Sequence, residues 1–149
     1  MSSNVEDLAT HLQPLLEGLS AGARARLAKL IGRDLRKNQS KRISDQKNPD
    51  GSGYTPRRKR LREQKGKIKR KMFTKLKNTT NLKVLSTADS IAIGFVGRIA
   101  RIARIHQEGL KDRAEAGAPD VVYPKRELLG FTAQDIQLIQ DSLLKHIKL

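Results

Sequence analysis

The sequence predicts a small α+β domain, and three patterns lead to this fold class. Helical periodicity runs through residues 1–46, apolar alternation typical of a β-hairpin follows at residues 81–97, and the chain ends in an amphipathic helix. We therefore expect long N-terminal helices, an antiparallel sheet based on the hairpin, a C-terminal amphipathic helix and a protruding basic loop.

Chain length and composition set the organisation of that domain. The 149 residues match the usual length of one domain. We expect a single domain over 1–149, with a helical part over 1–46, a basic loop or arm over 47–71 and an α+β core over 72–149. Hydrophobic residues make up 37% of the chain and tryptophan is absent, so Leu, Ile, Val and Ala must form a thin core. A core this thin favours assembly with copies of the chain or with other proteins.

The net charge indicates which classes of partner the chain can attract, and the absence of cysteine excludes some kinds of site. The formal charge of +16 attracts polyanions, which include nucleic acid, anionic membrane surfaces and acidic proteins. With no cysteine in the chain, disulfides and thiolate metal sites are excluded. No apolar run approaches the length of a membrane span, and the start of the chain lacks the pattern of a secretory signal. We expect the chain in the cytosol where it is made.

The helical part divides into two segments. Residues 4–19 place leucines at helical spacing, with Pro14 predicting a kink. Residues 21–46 carry a second apolar stripe, and Ser20 can cap this helix. The segments can form a helical hairpin, or the second can be one long helix packing on a sheet. Basic residues lie mostly off the second stripe: Arg24, Arg26, Lys29, Arg33, Arg36 and Lys37.

A turn-rich stretch and a run of cations follow the helices. Residues 47–56 end the helix because proline, glycine, asparagine and aspartate favour turns there. Of the fifteen residues at 57–71, called the basic segment below, ten are Lys or Arg and only Glu63 is acidic. We expect a mobile loop over 57–66 and a short helix over 67–78. The candidate residues for contact with a partner or nucleic acid are Arg57, Arg58, Lys59, Arg60, Arg62, Lys65, Lys67, Lys69, Arg70 and Lys71.

The middle of the chain changes from strand to helix. Residues 81–97 alternate apolar and other residues on both sides of a turn at 87–90, which predicts a β-hairpin. Residues 98–110 return to helical spacing, and Gly109 is expected to end that helix.

The last part of the chain is predicted as loop, short strand and helix. Residues 111–120 are polar and predict a loop, and the next residues are β-prone. The final helix follows Thr132, an N-cap residue with Asp135 three positions on, which is typical of a capping box.

The residues that support catalysis or metal binding are scattered. His11, His106 and His146 lie far apart and lack the spacing of metal ligands. No nucleophile elbow or P-loop occurs. His106 with Gln107 and Glu108 is the one polar cluster of interest, and we expect a helix-end histidine satisfied by the backbone. The sequence therefore predicts no enzyme activity, no cofactor and no metal.

The basic segment admits three interpretations. It can neutralise phosphates, contact an acidic protein surface, or remain a solvated loop. Tyr54 and Phe73 only bracket the run, so the aromatic residues needed to stack single-stranded bases are not interleaved with the cations. Any DNA contact would be to the backbone, and a sequence-nonspecific nucleic-acid-binding protein is the alternative function.

The order of local motifs along the chain resembles that of a known family. A long basic helix leads into "QKNPDGSGYTPR", "GKIKRKMF", an Ile-rich hairpin, "RIHQEGL" and "YPKRELLGFT", before the last amphipathic helix. In this order and spacing they resemble the phage virion-morphogenesis family, the tail-completion proteins of contractile-tailed phages, from about Leu19 to the C-terminus. One departure is Glu127, because the resemblance leads us to expect a Pro-x-Arg-Pro pattern with its second proline there.

The resemblance implies a non-enzymatic structural protein of the virion, with no catalytic residues to transfer. It implies assembly in the host cytoplasm, a place at the head-proximal end of the tail, and preparation of the tail for head joining. The implied partners are copies of itself in a homohexameric ring, tail tube, sheath or tail-terminator proteins, and neck or connector proteins, with no membrane. The basic segment would reach neighbouring subunits, an acidic tail protein or DNA in the tail lumen. A headless, phage-derived bacteriocin could carry the same component.

Overall fold

The computed structural model describes residues 17–57, 71–113 and 116–146. Over these residues it confirms the predicted α+β class, with three helices and two small antiparallel sheets. The first predicted helix, residues 4–19, lies almost entirely outside the described residues. The elements in chain order are α1 (Ala21–Ser44), β1 (Leu82–Ser86), β2 (Ile91–Phe95), α2 (Ile99–Glu108), β3 (Lys111–Arg113), β4 (Asp120–Val122) and α3 (Ala133–His146).

Local signals place most of these elements where the sequence predicts them. Ser20 caps α1, because its hydroxyl accepts a hydrogen bond from the Ala23 N–H at 3.1 Å. The hairpin of β1 and β2 closes through a bond from the Thr87 N–H to the Ser90 carbonyl at 2.8 Å. Gly109 ends α2 in the left-handed conformation, at φ 67°.

Two predictions were wrong. Residues 111–120 were expected to be a loop, but β3 pairs with β4, with Lys111 opposite Val122 and Arg113 opposite Asp120. Charged residues can form this sheet because opposite charges pair across its two strands. Arg113 and Asp120, which are both exposed, form an ion pair at 3.2 Å, and no buried apolar side chain is needed at this position. The short helix expected over 67–78 is absent from 71–78, which form turns, since Phe73 adopts a left-handed φ of 67° that a helix cannot contain. Residues 67–70 lie outside the described part of the chain.

Tertiary contacts divide the described chain into two compact units. The first unit contains residues 17–38, 83–94 and 131–146, and the second contains residues 39–57, 71–82, 95–113 and 116–130. Helix α1 therefore supplies its first eighteen residues to one unit and its last six to the other. Each unit has its own apolar core.

The first unit is built on one stripe of α1. Leu27, Ile31 and Leu35 recur every four residues and are buried together with Leu143 of α3. Fully burying a side chain of this size contributes about 1.5–3 kcal/mol. Gly32 lies beside this stripe and faces the hairpin. In this unit the long helix packs on a sheet, which is one of the two arrangements left open by the sequence, and the helical hairpin would involve residues outside the described part of the chain.

The predicted capping box of α3 is confirmed. The Asp135 N–H donates to the Thr132 hydroxyl at 3.0 Å, and the Thr132 N–H donates to the Asp135 carboxylate at 2.9 Å. Asp135 is 2% exposed and also accepts a hydrogen bond from the Asn38 amide at 3.1 Å. The same carboxylate therefore caps α3 and joins it to α1.

The second unit gathers apolar side chains from irregular chain as well as from helices. Most of its core residues lie outside regular elements, and Ile43 and Leu128 are 0% exposed. The buried cluster is Ile43, Tyr54, Met72, Leu76, Ala103 and Leu128, with Phe73, Phe95 and Ile99 partly buried against it.

Close packing at Gly32 makes a test of the first unit. A Cβ at this position would lie 2.5 Å from the Val84 Cγ1 and 3.3 Å from the Ile91 Cγ2. We expect Gly32→Ala to destabilise the protein by about 1–3 kcal/mol through overpacking, and Val84→Ala in the same chain to recover part of the loss. Thermal and urea unfolding measure the change.

The matched control for this prediction is Gly22→Ala in the same helix. The nearest atom to a Cβ there is Arg26 Nη1 at 3.6 Å, so alanine should keep or raise the stability through its better helix propensity, by up to about 1 kcal/mol. A Gly32→Ala protein as stable as the wild type would contradict the packing described here.

Candidate partner interface at the base of the basic segment

Gln46 bonds the chain on both sides of the basic segment, within the second unit. It follows α1 with a left-handed φ of 58°, and its carbonyl accepts the Tyr54 N–H at 2.7 Å. Its side chain bonds Met72 twice, accepting from the Met72 N–H at 2.8 Å and donating to the Met72 carbonyl at 2.9 Å. One residue, Gln46, is therefore bonded both to the chain before the basic segment and to the chain after it.

Arg126 fixes the amino-terminal end of the segment. Its guanidinium donates to the Thr55 carbonyl at 2.8 Å, the Pro56 carbonyl at 3.3 Å and the His106 Nδ1 at 3.1 Å. The residue is 4% exposed, and burial lowers the pKa of its side chain. In the described part of the chain, this buried charge is stabilised by carbonyl and ring-nitrogen acceptors, and a buried charge needs such partners.

The imidazole ring of His106 belongs to a row of aromatic rings that contact one another. This ring lies 4.8 Å from that of Phe73 and 5.1 Å from that of Tyr123, and Phe73 lies 5.6 Å from Tyr54, all edge to face. Because Arg126 donates to Nδ1, the neutral ring carries its proton on Nε2. Burial, followed by the positive charges of Arg126 and Arg57, lowers the pKa of His106 to about 4. The expectation of a histidine satisfied by the backbone was wrong, because a guanidinium satisfies this side chain.

Gln107 and Arg42 bind the extended stretch after β4. Gln107 accepts from the N–H groups of Leu128 and Leu129 at 2.8 and 2.9 Å and donates to the Leu129 carbonyl at 2.9 Å. Arg42 donates to the Glu127 and Leu128 carbonyls at 3.0 and 2.7 Å. These bonds give an irregular stretch the backbone partners that a strand would have.

The departure at Glu127 has a physical reason. The Glu127 N–H donates to the Asn48 side-chain oxygen at 2.8 Å, and its carbonyl accepts from the Tyr54 hydroxyl at 3.0 Å. A proline in this position would remove the N–H and leave the Asn48 oxygen without that donor. Glutamate therefore retains a bond that ties this stretch to the turn before the basic segment.

The structure describes two of the ten predicted contact residues. Arg57 and Lys71 are both exposed, and Arg57 is close enough to His106 and Arg126 to influence their pKa values. The other eight lie outside the described residues: Arg58, Lys59, Arg60, Arg62, Lys65, Lys67, Lys69 and Arg70.

The base of the basic segment consists of the residues that bond the chain just before and just after it, together with Gln107, which bonds the stretch after β4. The sequence did not predict this role for them. Gln46, Gln107 and Arg126 stand inside the motifs named above, but the side chain of each has a partner more than 20 residues away, so no spacing rule reveals these contacts. The described residues contain no group of three potential metal ligands, and none of the helices described is long and apolar enough to cross a membrane.

Residues 3–148 match the phage virion morphogenesis family. The chain belongs to this family. It is 37% identical over 139 residues to the tail completion protein S of Escherichia phage P2, and the match covers 92% of this chain and 93% of that relative. No solved structure matches the chain. The family predicted from the order of motifs is thereby confirmed.

The three hydrogen bonds of Gln107 allow a test of its role in stabilising the stretch after β4. We expect Gln107→Ala to destabilise the protein by about 1–3 kcal/mol, because two N–H groups and a carbonyl lose their partner in a partly buried place. Gln137→Ala is the control, since Gln137 is exposed and bonds only Asp141 among the described residues, and its effect should stay within about 0.5 kcal/mol. Urea unfolding compares them, and equal stabilities would contradict the role of Gln107.

The lowered pKa of His106 predicts a pH dependence of stability. Between pH 6.5, the ordinary value, and about 4, the unfolded chain binds a proton that the folded chain does not, so stability should fall as pH falls through this window. His106→Asn keeps a neutral acceptor for Arg126 and should flatten this part of the profile. Melting temperatures from pH 7 to 4 measure it, with His146→Asn, at an exposed site, as the control. The same slope in both variants would contradict the assignment.

Proposed function

We propose that this protein completes the head-proximal end of the contractile tail of a phage, or of a phage-derived particle, and prepares the tail for head joining. The observation that carries the proposal is the 37% identity to a tail completion protein across nearly the full length of both chains. Membership of the virion morphogenesis family supports the same role. The protein acts as a structural component of the virion tail and not as an enzyme, and it assembles in the host cytoplasm.

In this proposal the working form is a ring of copies, six in number, at the junction of tail and neck. The thin core supports assembly, since several large apolar side chains remain available for burial against other chains. The exposed ones are Leu30, Leu85, Ile102, Val122, Phe131 and Leu144. The neighbours are tail tube, sheath or tail-terminator proteins on one side and neck or connector proteins on the other.

The basic segment is the contact element of the proposal. It carries ten cations and one acid, and both of its ends are fixed, by Gln46 and by Arg126. A fixed base limits the entropy lost when the segment binds, which favours a specific contact. Its proposed partners are a neighbouring subunit, an acidic surface of a tail protein, or DNA in the tail lumen.

Charge removal in the segment tests this role. We expect Arg57, Arg58, Lys59 and Arg60, replaced together by Ser, to abolish tail completion while leaving the melting temperature unchanged, because the variant removes partner contacts rather than core packing. The measurement is complementation of a phage lacking the gene, scored by infectious titre and by electron microscopy of particles.

The control for complementation removes four exposed cations elsewhere. It replaces Lys75, Lys83, Lys111 and Lys145 with Ser, which lowers the net charge equally. The control should complement. Mature tails joined to heads in the basic-segment variant would overturn the role given to the segment.

The alternative, a free nucleic-acid-binding protein, is separated by assembly state. Rings in negative-stain images, a mass several times 16.7 kDa and co-purification with tube or sheath protein support tail completion. A monomer that binds DNA and never co-purifies with tail proteins indicates the alternative.

A further inference from the structure

The net positive charge of this protein comes entirely from two segments of the chain. Helix α1 contains eight basic residues and one acid, and the basic segment contains ten and one. All other residues together contain thirteen of each sign, so the whole excess of +16 lies in these two segments. The proposed function uses the basic segment and leaves the charge of α1 unexplained.

Two of the basic residues of α1 form bonds that stabilise the fold. Arg24 donates to the Leu19 carbonyl at 3.0 Å and pairs with Asp89 at 3.4 Å. Arg42 donates to the backbone of the stretch after β4. These two guanidinium groups are therefore structural.

Four others form a row on the outer face of the same helix, within the first unit. Arg26, Lys29, Arg33 and Lys37 are all exposed and recur at intervals of three or four residues, which places them on one side of the helix. The row is about 16 Å long at a rise of about 1.5 Å per residue. It lies away from the buried stripe that begins at Leu27. We call it the α1 basic row.

The row is not neutralised within the described parts of the chain. None of its four side chains pairs with a carboxylate there, and the one acid of α1, Asp34, is half-buried. Like charges at this spacing destabilise a helix by a few tenths of a kcal/mol per pair. The row therefore weakens the fold slightly, and an anionic ligand would remove that repulsion.

The composition of the row favours phosphates over a protein surface. Protein interfaces are enriched in aromatic residues and arginine and depleted in lysine. This face contains two arginines, but it also contains two lysines and no aromatic residue, and its one large apolar side chain is Leu30 at 39% exposure. A second copy of the chain would present the same sign of charge. Phosphate contacts use lysine and arginine without further recognition groups, and duplex DNA offers one charge per about 1.7 Å.

We propose that the α1 basic row binds the phosphate backbone of duplex DNA without reading its sequence. This contact is separate from the basic segment. It goes beyond the tail-completion role and does not depend on it, because the free protein would show it.

The test measures DNA binding by the purified full-length protein. Fluorescence anisotropy with two duplexes of unrelated sequence, each about 30 base pairs long, gives the binding constant between about 50 and 200 mM NaCl, where phosphate contacts weaken steeply. The row variant changes Arg26, Lys29, Arg33 and Lys37 to Gln, which keeps a similar helix propensity. The control changes Lys75, Lys83, Lys111 and Lys145 to Gln and removes the same charge from exposed sites elsewhere. Circular dichroism and melting temperature verify that both fold.

The expected result is a weaker salt dependence for the row variant only. The slope of log K against log salt should become shallower by about 0.9 for each phosphate that the variant no longer neutralises, or about 3–4 in all, equally for both duplexes. The control should keep the slope of the wild type.

Three results would overturn the proposal. They are no binding of DNA by the wild type at low salt, equal slopes in the row variant and the control, or, in the same assay with labelled poly-glutamate as an acidic probe, a row variant that loses binding to poly-glutamate and keeps binding to DNA. The last result would assign the row to an acidic protein. All three are measured on the isolated protein, so they leave the complementation test of tail completion unaffected.

Discussion

The second unit depends on one constraint, which is that the backbone groups of its irregular segments need hydrogen-bond partners. Residues 45–57, 71–81 and 123–130 are turns or extended chain, so they lack the regular bonds of helices and ladders. Long polar side chains supply the partners, and Gln46, Gln107 and Arg126 each bond two or more backbone groups. Since the apolar core is thin, these bonds fix a chain path that apolar burial alone would leave undetermined.

The same bonds determine the electrostatics at the base of the basic segment. Arg126 keeps its charge in a buried place because three acceptors surround the guanidinium. His106 beside it is neutral at neutral pH, because burial disfavours its charged form and the positive charges of Arg126 and Arg57 lower its pKa further. The fixed base thus consists of a buried cation and a neutral ring, and Arg57, the first cation of the basic segment, is exposed beside them.

Separation of charge along the chain reconciles a large net charge with folding. The residues outside α1 and the basic segment are neutral as a group, and several form ion pairs, such as Arg101 with Asp112 at 2.7 Å. On α1, part of the excess charge lies on an exposed helix face, where solvent screens it. The α1 basic row is therefore kept away from the buried stripe of its unit, and it remains accessible to polyanions.

The sequence by itself determined the α+β class, the hairpin, the end of α2 at Gly109 and the Thr132–Asp135 capping box, because each of these features depends on residues within a few positions of one another. It also determined the family, through the order of its motifs. Tertiary structure alone decided the left-handed turn at Phe73, the pairing of β3 with β4 and the base of the basic segment. There the partners are distant in sequence, Arg126 and Thr55 being 71 residues apart, and the free energy comes from satisfying backbone groups that only the folded chain brings together.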